Sequence, residues 1–241
     1  MVDYLFIAIS TIPNAVTMKH NSTDIITEQC TRIEIDNRIA YHQAGQAAAI
    51  CLGNRQRQLP DVYFHISIRQ VERNRQPAPE LVSRIYGKHT VRVEGGRLIQ
   101  TLPVSYNEVV SYCPWPQQID YLNAFEADVI NLLAGSLSEA KYVALCDDEV
   151  FNANLVNLNA LHFYGGSSDL EVITEYMKCF IPCKKERQHK LSELFLAAYQ
   201  FVNKTKNWRA ISALAEFLMD EPDDIINCEK VVSVLEASLA A

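Results

Sequence analysis

The stretch from Asp36 to Gly53 constrains this chain more than any other. Between Ile39 and Leu52 it carries alanine at 40, 44, 47, 48 and 49, with Ile50, Cys51 and Leu52 closing the run. A segment that is apolar nearly all round reads as a helix that must be buried, because no face of it suits water. Asp36 or Asn37 can cap its start, and Gly53 can end it. His42 and Gln46 stand one turn apart and share a face. Gly45 between them offers close approach of another backbone.

The remaining periodicities place other elements around this helix. Asp61 to Gln70 alternates, with Val62, Phe64, Ile66 and Ile68 on one side and Tyr63, His65, Ser67 and Arg69 on the other, which predicts a half-buried strand. A polar stretch at 74–79 reads as a loop. Residues 90–102, with Gly95-Gly96 at their centre, read as a hairpin with a glycine turn. Pro114-Trp115-Pro116 interrupts the chain, and a long helix is predicted over 118–143. Ser168 with Glu171 has the capping-box spacing that starts a helix. Further helices are predicted over 184–203, 207–220 and 227–239. The expected class is mainly α (α+β), with a small antiparallel β element near the alanine-rich helix.

Composition narrows the function classes. The 241 residues are 49% hydrophobic, enough for a sizeable core, and the formal net charge of −7 leaves no basic surplus for a general nucleic-acid binder. The basic clusters at 69–75 and 184–190 read as solvated faces. No run of about 18 uninterrupted apolar residues occurs, so no membrane span is expected. Met1 to Ser10 lacks a basic start and reads as a short element packed on the domain rather than a signal peptide. Seven scattered cysteines (30, 51, 113, 146, 179, 183 and 228) fit a reducing cytoplasm better than a disulfide framework. A phosphate-binding Gly-x-x-x-x-Gly-Lys loop is missing. Gly87-Lys88 is followed by His89 and has Val82 where the first glycine belongs, so ATP binding is not expected.

The helix centre reads His42-Gln43-Ala44-Gly45-Gln46. This is the frame His-Glu-x-x-His, in which two histidines hold Zn²⁺ and the glutamate is general base. Gln43 stands at the base position and Gln46 at the second ligand. Three segments together resemble the peptidase domain of FtsH-like ATP-dependent zinc metalloproteases. They are Ile39-Ala40-Tyr41-His42-Gln43-Ala44-Gly45-Gln46-Ala47, Leu133-Ala134-Gly135-Ser136-Leu137-Ser138-Glu139, and Ser168-Asp169-Leu170-Glu171.

The resemblance implies a single peptidase-like domain over 1–241. It would comprise an N-terminal extension (1–35), a vestigial site region (36–183) and a C-terminal helical bundle (184–241), without the family's ATPase. It implies His42, Gln46 and Asp169 as the three metal positions, the last being the family's third ligand, and Gln43 as a degenerate general base. With two strong donors of three, no cofactor is expected; zinc would need His65 or His162 to complete a different set. The function expected is a cytoplasmic pseudoprotease that binds peptide or protein partners, FtsH-like protease complexes among them. The alternative is an active metalloendopeptidase with a non-standard ligand set. The oligomeric state is not legible in the sequence.

Overall fold

The structure, a computed structural model, describes residues 35–70, 89–103, 105–221 and 223–240. The expectations for Met1 to Ser10, Cys30, 74–79 and Gly87-Lys88 lie outside the described residues.

Asp36 caps the first helix: its carboxylate accepts from the Arg38 amide at 2.8 Å. Helix α1 runs Asn37–Ala48 and continues through a π-helical turn, Ala49–Gly53, into Asn54–Gln56. Gly53 therefore does not end the helix. Its φ is −67°, and the chain reverses only at Gln58, whose φ is +58°. The alanines at 40, 44, 47, 48 and 49 are fully buried.

The main partner of α1 is the long helix α3 (Trp115–Cys146), which follows the short helix α2 (Tyr106–Tyr112). The α1–α3 crossing is close because both helices carry a glycine there. A Cβ at Gly45 would collide with the Ser138 side chain and sit 2.7 Å from the Ala134 carbonyl oxygen, and one at Gly135 would sit 2.9 Å from His42 Nε2. By length and composition α3 could cross a membrane, yet 78% of its most apolar stretch is buried within the protein.

Three strands follow the order β2-β1-β3, all antiparallel: β1 (Phe64–Gln70), β2 (His89–Gly95) and β3 (Ile225–Asn227). Ile66 lies opposite Val93 on one side and Ile226 on the other. Phe64, Ile66, Ile68, Val91, Val93 and Ile226 are all buried, the apolar set that the alternation of β1 anticipates. On the other face Ser67 Oγ donates to Glu94 at 2.7 Å, and Arg69 donates to the same carboxylate at 2.9 Å.

The glycine-turn hairpin over 90–102 does not form: β2 pairs with β1. Gly95 and Gly96, with φ of +87° and +78°, end the strand instead. Beyond them the amides of Leu98 and Ile99 donate to the Asp128 carboxylate at 2.8 and 2.9 Å. A buried side chain of α3 thus supplies the acceptors that a returning strand would have supplied. The Tyr176 hydroxyl lies 3.0 Å from both Asp128 Oδ2 and the Ile99 carbonyl.

A 3₁₀ turn (Leu158–Tyr164) leads into α4 (Ser167–Phe180), followed by α5 (Lys184–Asn203), α6 (Thr205–Asp220) and α7 (Cys228–Ala240). The predicted helices over 184–203, 207–220 and 227–239 are present. The Ser168–Glu171 capping box is not: the N-cap is Gly166, without a side-chain bond, and Ser168 already lies in the first turn. The C-terminal region is not a bundle apart. α6 packs on α1, and β3 joins the sheet between α6 and α7. Lys141 of α3 is buried, with Nζ 3.1 Å from Asn203 Oδ1, 3.4 Å from the Val202 carbonyl and 4.5 Å from the centre of the Trp208 ring. It places a cation at the C-terminal end of α5, and burial lowers its pKa to about 8. The result is a mainly helical protein with a small three-stranded antiparallel sheet.

Candidate functional site

Among the described residues His42 is the centre of a buried ionic group that joins α1, α3 and α4. It is 3% exposed. Its Nε2 lies 3.1 Å from Asp169 Oδ2, in the first turn of α4. Its Nδ1 lies 3.2 Å from Glu139 Oε2 on α3 and 3.2 Å from the Tyr164 carbonyl at the end of the 3₁₀ turn. Arg38, one turn before His42, closes the group. Its Nε donates to Glu139 Oε1 at 3.1 Å, and its second guanidinium nitrogen donates to the Phe163 carbonyl at 3.1 Å.

Each member is there for a local reason. Arg38 and His42 are four residues apart and so face one side of α1. Gly135 and Glu139 are likewise one turn apart on α3: the glycine admits the imidazole and the glutamate reaches its far nitrogen. Gly165, in the left-handed conformation, ends the 3₁₀ turn and brings α4 in with Asp169 leading.

Burial alone would lower the His42 pKa. The hydrogen bonds to Asp169 and Glu139, and then their charges, overcome this and raise it to about 9. His42 is therefore an imidazolium at neutral pH, donating from both nitrogens. Two cations, Arg38 and His42, face two anions, Glu139 and Asp169, which makes the burial of charge tolerable.

Gln43 points elsewhere. It is buried, and its Oε1 accepts from the Val93 amide at 2.7 Å. Val93 is on β2, whose other neighbour is β1, so this bond sits on the outer edge of the sheet. Gln46 is partly exposed, and its side chain makes no hydrogen bond among the described residues. His65 pairs with Glu94 at 3.3 Å on the polar face of the sheet. His162 is exposed and rests on the Phe163 ring. Neither joins His42.

The donor set can be tested against zinc. A catalytic site needs three strong protein ligands and an open position. His42 Nε2 and the Asp169 carboxylate face one another and are two. Glu139 is on the opposite ring nitrogen and cannot share an ion with Nε2, though a carboxylate behind a ring is what orients a metal-binding histidine. Gln46 offers only an amide. Among the described residues no group of three or more His, Cys, Asp or Glu side chains is arranged to hold a metal ion. These residues do not fit a zinc centre.

No family model, no curated protein and no solved structure matches the chain.

The resemblance brings His42 and Asp169 together, as the structure does; Arg38, Glu139 as a partner and the Tyr164 carbonyl are not among the residues it points to. A signal for Glu139 was present: an acid one turn after a glycine, in a helix otherwise filled with Leu, Ala and Ser, needs a buried partner.

Proposed function

We infer that this chain is a metal-independent relative of the FtsH-like peptidase domain, a pseudoprotease that binds peptide or protein partners in the cytoplasm. The observation that carries the reading is the meeting at His42 of residues from the three segments on which the resemblance rests. Gly135 and Glu139 come from the second segment and Asp169 from the third. Asp169 faces the ring nitrogen that would bind metal, and Glu139 backs the other.

Among the described residues the metalloprotease frame offers no general base. A general base contributes about 10²–10⁴ in rate, and the residue at that position is an amide already engaged by the Val93 N–H. Peptide binding needs neither base nor metal. The outer edge of β2 has no strand partner among the described residues, and an extended peptide can add to such an edge through main-chain hydrogen bonds. Gln43 stands in for one of those bonds at Val93.

Metal analysis and a casein assay test the reading. The expected result is no stoichiometric zinc in purified protein, no cleavage, and a melting curve indifferent to chelator. Stoichiometric zinc with chelator-sensitive cleavage would instead establish a working metalloendopeptidase. The double variant Gln43→Glu/Gln46→His is expected to bind zinc more tightly than the parent. If it does not, Asp169 is not a third ligand position and the resemblance is misaligned.

A further inference from the structure

Two buried asparagines meet where the π-helical end of the first helix lies against α3, and their hydrogen bonding is incomplete. Asn54 is 1% exposed and Asn131 3%. Asn131 Nδ2 donates to Asn54 Oδ1 at 3.2 Å. Asn54 Nδ2 and Asn131 Oδ1 have no partner in the protein. A donor and an acceptor are thus both buried and unpaired, which costs more than the one amide bond returns. Turning one amide over would set oxygen against oxygen or nitrogen against nitrogen. Turning both over exchanges the roles and still strands one donor and one acceptor.

The helix itself brings Asn54 to this place. At the end of the π-helical turn Ala49–Gly53 the Asn54 amide donates to the Ala49 carbonyl, five residues back rather than four. The extra residue turns Asn54 by about 100° round the axis relative to an unbroken α-helix. The surroundings of Asn131 Oδ1 supply no substitute donor. On that side stand Gly53 and the Phe201 ring of α5, and a Cβ placed on Gly53 would lie 3.7 Å from both the oxygen and the ring. Neither has a side-chain N–H or O–H to offer.

The chemistry of the two atoms selects the ligand. A cation would satisfy only Oδ1 and an anion only Nδ2, so the group that completes the pair must both accept and donate. Water is the smallest molecule that does so, and buried waters are held by polar groups that the protein leaves unpaired. We propose that the joint between Asn54 and Asn131 is a binding site for one internal water molecule, which accepts from Asn54 Nδ2 and donates to Asn131 Oδ1. The water is a fixed part of the α1–α3 contact, and it leaves only when that contact opens. The proposal does not rest on the peptidase reading; either can fail while the other stands.

Two measurements on the full chain test it. The first is cross-relaxation between water and side-chain amide protons in nitrogen-15-labelled protein, with the Asn54 amide assigned by its loss in Asn54→Leu. That amide is expected to show a cross-peak to water with the sign given by a bound molecule. The second is the oxygen-17 relaxation dispersion of the solvent, whose amplitude counts long-lived internal waters. Asn54→Leu/Asn131→Leu, close to the parent in volume, is expected to hold one fewer, with circular dichroism checking that it folds. A missing cross-peak, or one with the sign of freely diffusing water, would overturn the proposal, because the amides would then satisfy each other or open to bulk solvent. An unchanged water count in the folded double variant would overturn it too. If the double variant does not fold, the cross-peak in the parent protein decides.

Discussion

The Asp169 carboxylate lies 3.1 Å from Nε2 of His42, across 127 residues of sequence. The contact joins α4 to α1 at a point where Glu139 already joins α3 to the same ring. One imidazolium thus ties three helices, and its two carboxylates sit on opposite nitrogens.

Removing one partner should expose that dependence. Asp169→Asn keeps the shape and removes the charge, and is expected to cost on the order of 1–3 kcal/mol in urea unfolding, the range for an interrupted buried hydrogen bond to a charged group. His42→Gln should cost at least as much, because it strands two carboxylates. In a double-mutant cycle the pair should be non-additive by more than about 0.5 kcal/mol; additivity would mean the two residues do not act on one another.

The pH dependence follows from the raised His42 pKa. The native imidazole holds its proton to about 9, whereas an unfolded one releases it near the ordinary 6.5. The native state therefore binds more protons between these values, and stability should fall as pH rises. The contribution is complete below about pH 6.5 and lost through about pH 9, at most roughly 3 kcal/mol. Chemical denaturation at a series of pH values checks this, and His42→Gln should flatten the slope. An unchanged slope in the variant would place the titrating group elsewhere.

The helix crossing should not tolerate a methyl group. Gly45→Ala drives a Cβ into Ser138 and to within 2.7 Å of the Ala134 carbonyl oxygen. Backbone cannot yield as a long side chain can, so the loss is expected at the upper end of the usual overpacking cost, about 3 kcal/mol. Gly53→Ala is the control: its nearest neighbours lie 3.7 Å away, so it should be close to neutral. Thermal melts of the two variants should separate clearly.

The Asp128 clamp gives a graded test. Tyr176→Phe removes one hydroxyl from a buried site and is expected to cost about 1 kcal/mol. Asp128→Ala strands the amides of Leu98 and Ile99 as well, and should cost several times more. Hydrogen exchange at those two amides should accelerate in Asp128→Ala and much less in Tyr176→Phe.

Much of this architecture was legible in the residues because it follows from local periodicity. A run of alanine with no polar face has to be buried, and it is. The stripes of 184–203 and 207–220 have to be helices with one wet side. The errors fell where a long-range partner overrode a local signal. Gly95-Gly96 looked like a hairpin turn, but Asp128, 29 residues or more downstream, claims the amides of Leu98 and Ile99. Ser168 and Glu171 had the spacing of a capping box, but Gly165 and Gly166 start the helix earlier.

What the sequence determined alone was the helical class, the burial of the alanine run at 40, 44 and 47–49, and the loss of basicity at Gln43, because an amide cannot become a carboxylate in any fold. What only the tertiary structure decided was what His42 does. An imidazole's charge depends on what stands at each of its nitrogens. Here those neighbours come from two other helices, brought within hydrogen-bonding distance by glycines at the α1–α3 crossing and at the entry to α4.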